Sequence, residues 1–191
     1  MPAGLWTIPN LLTIARTAAA PGVALAFALL PRPAADWVAL LLFTAAALTD
    51  FLDGWLARKW NQTSGFGRML DPIADKAMVV IALAVLMGLH GTGPALALPV
   101  AAILLRETLV AGLREYLGGA AVLSVTTLAK WKTTAQLVAI GLMLAPGPVA
   151  SLGGPDGVVA LAGLALLWLA AALTVITGWD YCRKALPHLA E

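Results

Sequence analysis

Six long apolar segments, separated by short polar or Pro/Gly-rich breaks, are the feature that most limits how this chain can fold. They cover about 8–30, 36–60, 71–89, 95–117, 128–145 and 157–179. A transmembrane helix needs about 20 mostly apolar residues, and these segments do not alternate in polarity as the strands of a membrane barrel do. We therefore expect an all-α polytopic membrane protein with six transmembrane helices, forming a single domain over residues 1–191.

The composition argues against the other broad classes of protein. Hydrophobic residues make up 61% of the chain and charged residues 12%, whereas soluble domains are about half apolar and a quarter charged. A chain this apolar is too hydrophobic to be disordered. Its formal net charge of +2 is too small to indicate nucleic acid as a partner. We therefore expect the lipid bilayer to be its main environment.

The distribution of basic residues predicts the orientation in the membrane. If both termini lie on one side, that side receives every Lys and Arg except Arg32. Basic residues are enriched in cytoplasmic loops, so both termini are expected in the cytoplasm and the protein in the cytoplasmic (inner) membrane. Arg16 lies inside the first apolar segment and no basic residue precedes that segment, which argues against a cleaved signal peptide.

Four aspartates lie where the second and third segments approach the cytoplasm: Asp50, Asp53, Asp71 and Asp75. An ionised aspartate at membrane depth costs about 2.5–3.5 kcal/mol, so a group of four needs compensation. At about 100° per residue, each pair projects from one face of its helix, and an antiparallel return brings the two faces together. Ligands that are all oxygen select hard cations. The pattern therefore predicts bound Mg²⁺ or Mn²⁺, with enough carboxylates for two ions.

A structural interpretation of the same aspartates is also open. They would then form interfacial ion pairs with neighbouring Arg and Lys residues, or cap helices, as Asp71 before Pro72 would at a helix start. Gly54 and Gly67 lie near the aspartates and would let a bulky polyanion approach the metal, or would only permit close helix packing. Arg58 would bind a phosphate of that polyanion, or extend to the membrane interface.

The spacing of these residues matches a known signature. The segment Asp50-x2-Asp53-Gly54-x2-Ala57-Arg58-x8-Gly67-x3-Asp71-x3-Asp75 resembles that of the CDP-alcohol phosphatidyltransferases at every fixed position. Further segments resemble the branch of this family that uses glycerol 3-phosphate to make phosphatidylglycerophosphate. These segments are 8–13, Arg16, 106–107, 113–115 and 130–136.

This resemblance implies a homodimeric enzyme of six transmembrane helices with a polar cavity open to the cytoplasm. Such an enzyme transfers the phosphatidyl group of CDP-diacylglycerol to an alcohol and releases CMP. By the same resemblance, Asp50, Asp53 and Asp71 hold two divalent ions, while Asp75 contributes to the second ion and acts as the general base. Residues expected around the CDP-diacylglycerol are Gly54, Arg58, Ser64, Gly67, Asn10, Thr13 and Arg16.

A phosphorylated acceptor needs a second anion site. Its expected residues are Arg106, Arg114, Lys130 and Lys132, at the cytoplasmic ends of the fourth and fifth segments. Arg106 and Arg114 are eight residues apart, about 80° around a helix, so that one face can hold both. The alternatives are ordinary positive-inside topology for the lysines and an interhelical ion pair for Arg106, which precedes Glu107.

Two other functions are open from sequence. One is a sister phosphatidyltransferase that uses inositol phosphate, serine or phosphatidylglycerol as its acceptor. The other is a cation transporter, in which buried carboxylates bind the moving ion. A transporter predicts polar positions in both halves of the membrane, whereas the charged residues here cluster in the cytoplasmic half.

Overall fold

The chain folds into helices throughout the part that the structure, a computed structural model, describes: residues 7–60, 64–117 and 127–189. Within these ranges, side chains are described except at Pro9, 51–60, Arg68, 127–130 and 188–189. The helices are α1 (Ile8–Leu29), α2 (Ala34–Trp60), α3 (Gly65–His90), α4 (Pro94–Tyr116), α5 (Thr127–Leu144), α6 (Pro146–Ser151) and α7 (Asp156–Leu189).

Helices α1 and α3 each begin at a short polar residue that caps the helix. Thr7 caps α1, where its hydroxyl accepts a hydrogen bond from the backbone N–H of Asn10 at 3.4 Å. Ser64 caps α3 in the same way, accepting from the N–H of Gly67 at 2.9 Å. Helix α3 therefore begins six residues before Asp71, and Pro72 lies inside the helix. The interpretation of Asp71 as a residue at the helix start is wrong.

The second half of the chain departs from the segment boundaries expected from apolarity. The Pro146–Gly147–Pro148 break forms the short helix α6, and the chain then turns through Gly153 at φ +74°. Helix α7 has 34 residues and is about 51 Å long at 1.5 Å per residue. Helix α7 is therefore longer than the hydrocarbon core of a bilayer is thick, which is about 30 Å.

The helices pack as two groups that share one apolar core. Helix α1 packs against α2 and α3, and α7 packs against α4 and α5. Contacts of α2 with α5, and of α3 with α4 and α5, join the groups. The largest fully buried apolar side chains are Phe43, Leu83, Leu86, Ile103, Ile140 and Leu167. Many leucines, such as Leu29 and Leu105, are exposed on the outside, as expected for a surface that contacts lipid.

Four helical stretches in the described ranges are long and apolar enough to cross a membrane. They are Asn10–Leu29, Gly65–His90, Pro94–Tyr116 and Asp156–Pro187. Together with the helical architecture, they confirm the prediction of an all-α membrane protein. The count of six spans and the cytoplasmic cavity stay predictions, as does the single domain over 1–191.

Candidate active site

Arg16 of α1 lies between two of the predicted aspartates. Its Nη1 donates to Oδ1 of Asp75 on α3 at 2.6 Å and also to Oδ1 of Asp50 on α2. The arginine is buried, whereas the side chains of Asp50 and Asp75 are 43% and 50% exposed. Two carboxylates from different helices therefore meet at one guanidinium nitrogen, and both remain accessible from outside the helix bundle.

A third aspartate is held on the same side of α1. Thr13 donates from its hydroxyl to Oδ1 of Asp71 at 2.8 Å, and Asp71 lies one helical turn before Asp75 on α3. Asp50, Asp71 and Asp75 thus all contact side chains of α1. The side chain of Asp53, the fourth aspartate, lies outside the described residues.

The start of α3 is tied to α1 by a small polar network. Ser64 donates from Oγ to Oδ1 of Asn10 at 2.8 Å, while the same Oγ accepts from the N–H of Gly67. A Cβ on Gly67 would lie 2.7 Å from Oδ1 of Asn10. Since real Cβ contacts are essentially never that short, the lack of a side chain at Gly67 leaves room for the Asn10 side chain in this network.

The oxygen donors around Arg16 fit a hard divalent cation chemically. All are carboxylates, and Asp50 and Asp75 already converge on one point, as ligands that share an ion must. In the described side chains, which exclude Asp53, no three His, Cys, Asp or Glu residues form a group that could hold a metal ion. The two-ion site therefore stays a prediction.

A second cluster joins α4 and α5. Glu107 accepts at Oε1 from Nη1 of Arg106 at 3.2 Å and from Nζ of Lys132. The Lys132 side chain is 5% exposed and that of Arg106 14%. Two of the predicted acceptor-site cations, one buried and the other mostly buried, thus share a single carboxylate, so that the cluster has a net positive charge. We call Arg106, Glu107 and Lys132 the cation cluster.

Close packing of α7 shapes the cation cluster on its other side. A Cβ on Gly178 would lie 2.8 Å from Cγ of Arg106, so α7 approaches α4 closely here. Arg114, further along α4, donates from Nε to the hydroxyl of Tyr181 at 2.7 Å, with its guanidinium carbon 5.5 Å from the ring centroid. Arg114 thus contacts α7. The side chain of Lys130 lies outside the described residues.

The two clusters are neighbours through α3. Lys76 follows Asp75 on this helix and lies close enough to Glu107 to stabilise its negative charge. Helix α3 therefore carries aspartates of the first cluster and, in Lys76, a charge that acts on the second. Carboxylates are ligands that hard divalent cations prefer, and the net positive charge of the cation cluster suits a small anion.

Some contacts of the site were not predicted from sequence, and four predicted site residues fall where the structure does not describe side chains: Asp53, Gly54, Arg58 and Lys130. The pairing of Arg16 with Asp50 and Asp75 was not predicted, nor was the role of Glu107 as the shared partner of two cations. The sequence signal for the role of Glu107 is an acidic residue directly after Arg106 in an apolar helix.

Comparison with known proteins gives consistent matches over nearly the whole chain. A model of the CDP-alcohol phosphatidyltransferase family matches residues 6–176. A protein of Cereibacter sphaeroides is 53% identical, over 97% of this chain and 98% of that protein. Proteins of Rickettsia bellii and Escherichia coli are 42% and 39% identical, over at least 93% of this chain and 96% of theirs. All three bear the name CDP-diacylglycerol–glycerol-3-phosphate 3-phosphatidyltransferase.

Proposed function

Since this chain belongs to the CDP-alcohol phosphatidyltransferase family, we propose that it transfers the phosphatidyl group of CDP-diacylglycerol to glycerol 3-phosphate. The products are phosphatidylglycerophosphate and CMP. The observation that carries the proposal is that buried Lys132 and mostly buried Arg106 share the single carboxylate of Glu107, which leaves a net positive charge, while a separate set of carboxylates lies around Arg16. An acceptor with its own phosphate needs such a second site, and relatives over the full chain bear the name of this activity.

The reaction exchanges one phosphate ester for another. The acceptor hydroxyl oxygen bonds to the phosphorus that carries the diacylglycerol. The bond from this phosphorus to the CMP oxygen breaks, and CMP leaves with the electron pair. Asp75 takes the hydroxyl proton, as a positioned general base. Its half-exposed carboxylate is consistent with this role.

The carboxylates are proposed as the metal site. Asp50, Asp53, Asp71 and Asp75 would hold two divalent ions, Mg²⁺ or Mn²⁺, as their oxygen-only chemistry favours. When bound, such ions neutralise the pyrophosphate charge and stabilise the departing CMP. Thr13 keeps Asp71 in position, and Arg16 keeps Asp50 and Asp75 together.

CDP-diacylglycerol is expected to bind next to these aspartates. The Asn10–Ser64–Gly67 network forms one edge of this proposed site, with Gly54, Arg58, Thr13 and Arg16 around it. The acceptor phosphate is proposed to bind Arg106, Arg114, Lys130 and Lys132. Both substrates would enter from the cytoplasm, into a cavity formed by six spans with both termini on that side of the inner membrane. The protein is proposed to function as a homodimer.

The proposed function is tested by a panel of acceptors. Purified protein with CDP-diacylglycerol and Mg²⁺ should release CMP when given glycerol 3-phosphate, and not with serine, inositol phosphate or phosphatidylglycerol. Release of CMP with one of the other acceptors instead would identify a sister transferase. No release with any of them, together with divalent-cation uptake into sealed vesicles, would support a transporter.

Gly67→Ala tests the proposed nucleotide edge of the site. The new Cβ would displace Asn10 or Ser64, so we expect the KM for CDP-diacylglycerol to rise by about 10-fold, as for the loss of one or two hydrogen bonds. The KM for glycerol 3-phosphate should change little. Gly65→Ala is the matched control, because a Cβ there meets nothing within 4 Å. Equal effects of the two substitutions would contradict the assignment.

A further inference from the structure

Two buried polar side chains lie near the cation cluster and take no part in the roles assigned so far. Gln136 of α5 is 4% exposed and Thr174 of α7 is fully buried. Among the described residues, neither Oε1 of Gln136 nor Oγ1 of Thr174 has a hydrogen-bond partner. Nε of Arg106 is a third buried atom without one. Buried polar atoms are nearly always paired, so these atoms need an explanation.

The helix register places Gln136 and Thr174 at one depth. Gln136 follows Lys132 by four residues on α5, and Thr174 precedes Gly178 by four on α7. Lys132 contacts Glu107 and Gly178 packs on Arg106, so Lys132 and Gly178 lie at the level of the cation cluster. Further along, Gly163 of α7 packs on Met143 of α5, which shows that the two helices are antiparallel.

Both steps of four residues therefore lead in the same direction, away from the cytoplasmic ends of the helices. Each step is about 6 Å at 1.5 Å per residue. Gln136 and Thr174 thus lie one helical turn deeper than Arg106 and Lys132. We call these two residues the polar floor.

Comparison with a neighbouring threonine shows that a buried hydroxyl on α7 does not have to lack a hydrogen-bond partner. Thr177, one turn along α7, is also buried, but it donates to the carbonyl of Leu173 at 2.8 Å in its own helix. Thr174 makes no such bond among the described residues. The side-chain carbonyl oxygen of Gln136 is an acceptor, Nε of Arg106 is a donor, and the hydroxyl of Thr174 can be either.

A ligand hydroxyl matches this set of atoms. It can donate to Oε1 of Gln136 while accepting from Thr174 or Arg106. The acceptor proposed above has three functional carbons: one carries the phosphate, one the attacking hydroxyl and the middle one a hydroxyl that does not react. With the phosphate on the cation cluster and the attacking hydroxyl directed to Asp75, the middle hydroxyl would be the group left to bond the polar floor.

We propose that Gln136 and Thr174 recognise the non-reacting hydroxyl of the acceptor and so select glycerol 3-phosphate over phosphorylated alcohols that lack it. This inference rests on the proposed function and adds a specificity determinant to it. A site built to bond a substrate hydroxyl rejects the analogue without it, because the polar groups of the site are then left unpaired.

The test compares glycerol 3-phosphate with propane-1,3-diol monophosphate, which keeps the phosphate and the attacking hydroxyl but lacks the middle one. For the wild type, kcat/KM should be about 100-fold higher with glycerol 3-phosphate. Thr174→Val and Gln136→Met should each reduce this ratio by about 10-fold, mainly by lowering the rate with glycerol 3-phosphate. Thr174→Ser keeps the hydroxyl and should preserve the ratio.

Thr177→Val is the matched control, since it removes a buried hydroxyl from the same helix but should leave the ratio unchanged. The inference is overturned if the wild type does not discriminate, or if Thr174→Val and Gln136→Met slow both acceptors equally, as the loss of a bridging water or of helix packing would. In those cases the wild type still releases CMP with glycerol 3-phosphate. Absence of that release would instead refute the proposed function, and the inference with it.

Discussion

Asp75→Asn is expected to reduce kcat by about 10²–10⁴, the usual contribution of a positioned general base. Asparagine has nearly the same shape but cannot take the proton of the acceptor hydroxyl at neutral pH. The side chain of Asp75 is half exposed, so its loss of charge should leave the fold intact. CMP release in the presence of Mg²⁺ measures the effect, and thermal unfolding in detergent verifies the fold.

Asp180→Asn provides the matched control for this change. The Asp180 side chain is also 50% exposed and forms one ion pair with a basic residue, Lys184, on its own helix. It lies at the end of α7, away from the aspartates around Arg16. Its substitution should leave kcat within about 2-fold, as for most exposed ion pairs, which contribute little. Asp75→Asn with near-normal turnover would remove Asp75 from the role of base.

Arg16→Met is expected to destabilise the metal-free protein more than the metal-loaded one. Removing one partner of a buried ion pair costs about 3–5 kcal/mol, and partial exposure of Asp50 and Asp75 reduces this to roughly 2 kcal/mol. Divalent cations on the same carboxylates would supply the missing positive charge. The increase in Tm on adding Mg²⁺ in place of EDTA should therefore be larger for the variant than for the wild type.

Arg32→Met is the control for an arginine outside the proposed site. Arg32 forms two hydrogen bonds with Asp36, at 2.8 and 2.6 Å, at the opposite end of α2. Its loss should lower the Tm by the same amount with and without Mg²⁺. An Arg16→Met protein whose Tm responds to Mg²⁺ no more than the Arg32→Met protein would show that Arg16 and divalent cations do not share these carboxylates.

The helical membrane architecture was predictable, and the candidate aspartates could be named, because their signals are local. Runs of apolar residues predict helices that contact lipid, and the four-residue spacing of Asp71 and Asp75 predicts one helix face. The Ser64 cap also has a local signal, because serine is one of the residue types preferred at a helix N-cap. Each of these inferences needs only residues within a few turns of each other.

The pairings between helices were not predictable in the same way. Arg16 meets Asp50 and Asp75 across 34 and 59 residues, and this contact depends on the rotation of three helices about their axes. The polar floor depends on the relative depth of α5 and α7, which apolar periodicity does not define. The end of α7 was placed too early because the apolar run stops near Trp179 while the helix continues to Leu189.

The pairing of Arg16 with later aspartates has a consequence for how the protein is made. During translation, α1 leaves the ribosome with its arginine 34 residues before Asp50 and 59 residues before Asp75. A lone arginine within a membrane helix is costly, up to about 2.5–3.5 kcal/mol at the centre of the bilayer. This cost is removed only when α2 and α3 arrive as a hairpin beside α1. We therefore expect the first three helices to insert stably only as one cooperative unit, held together by the contacts of Arg16 with Asp50 and Asp75.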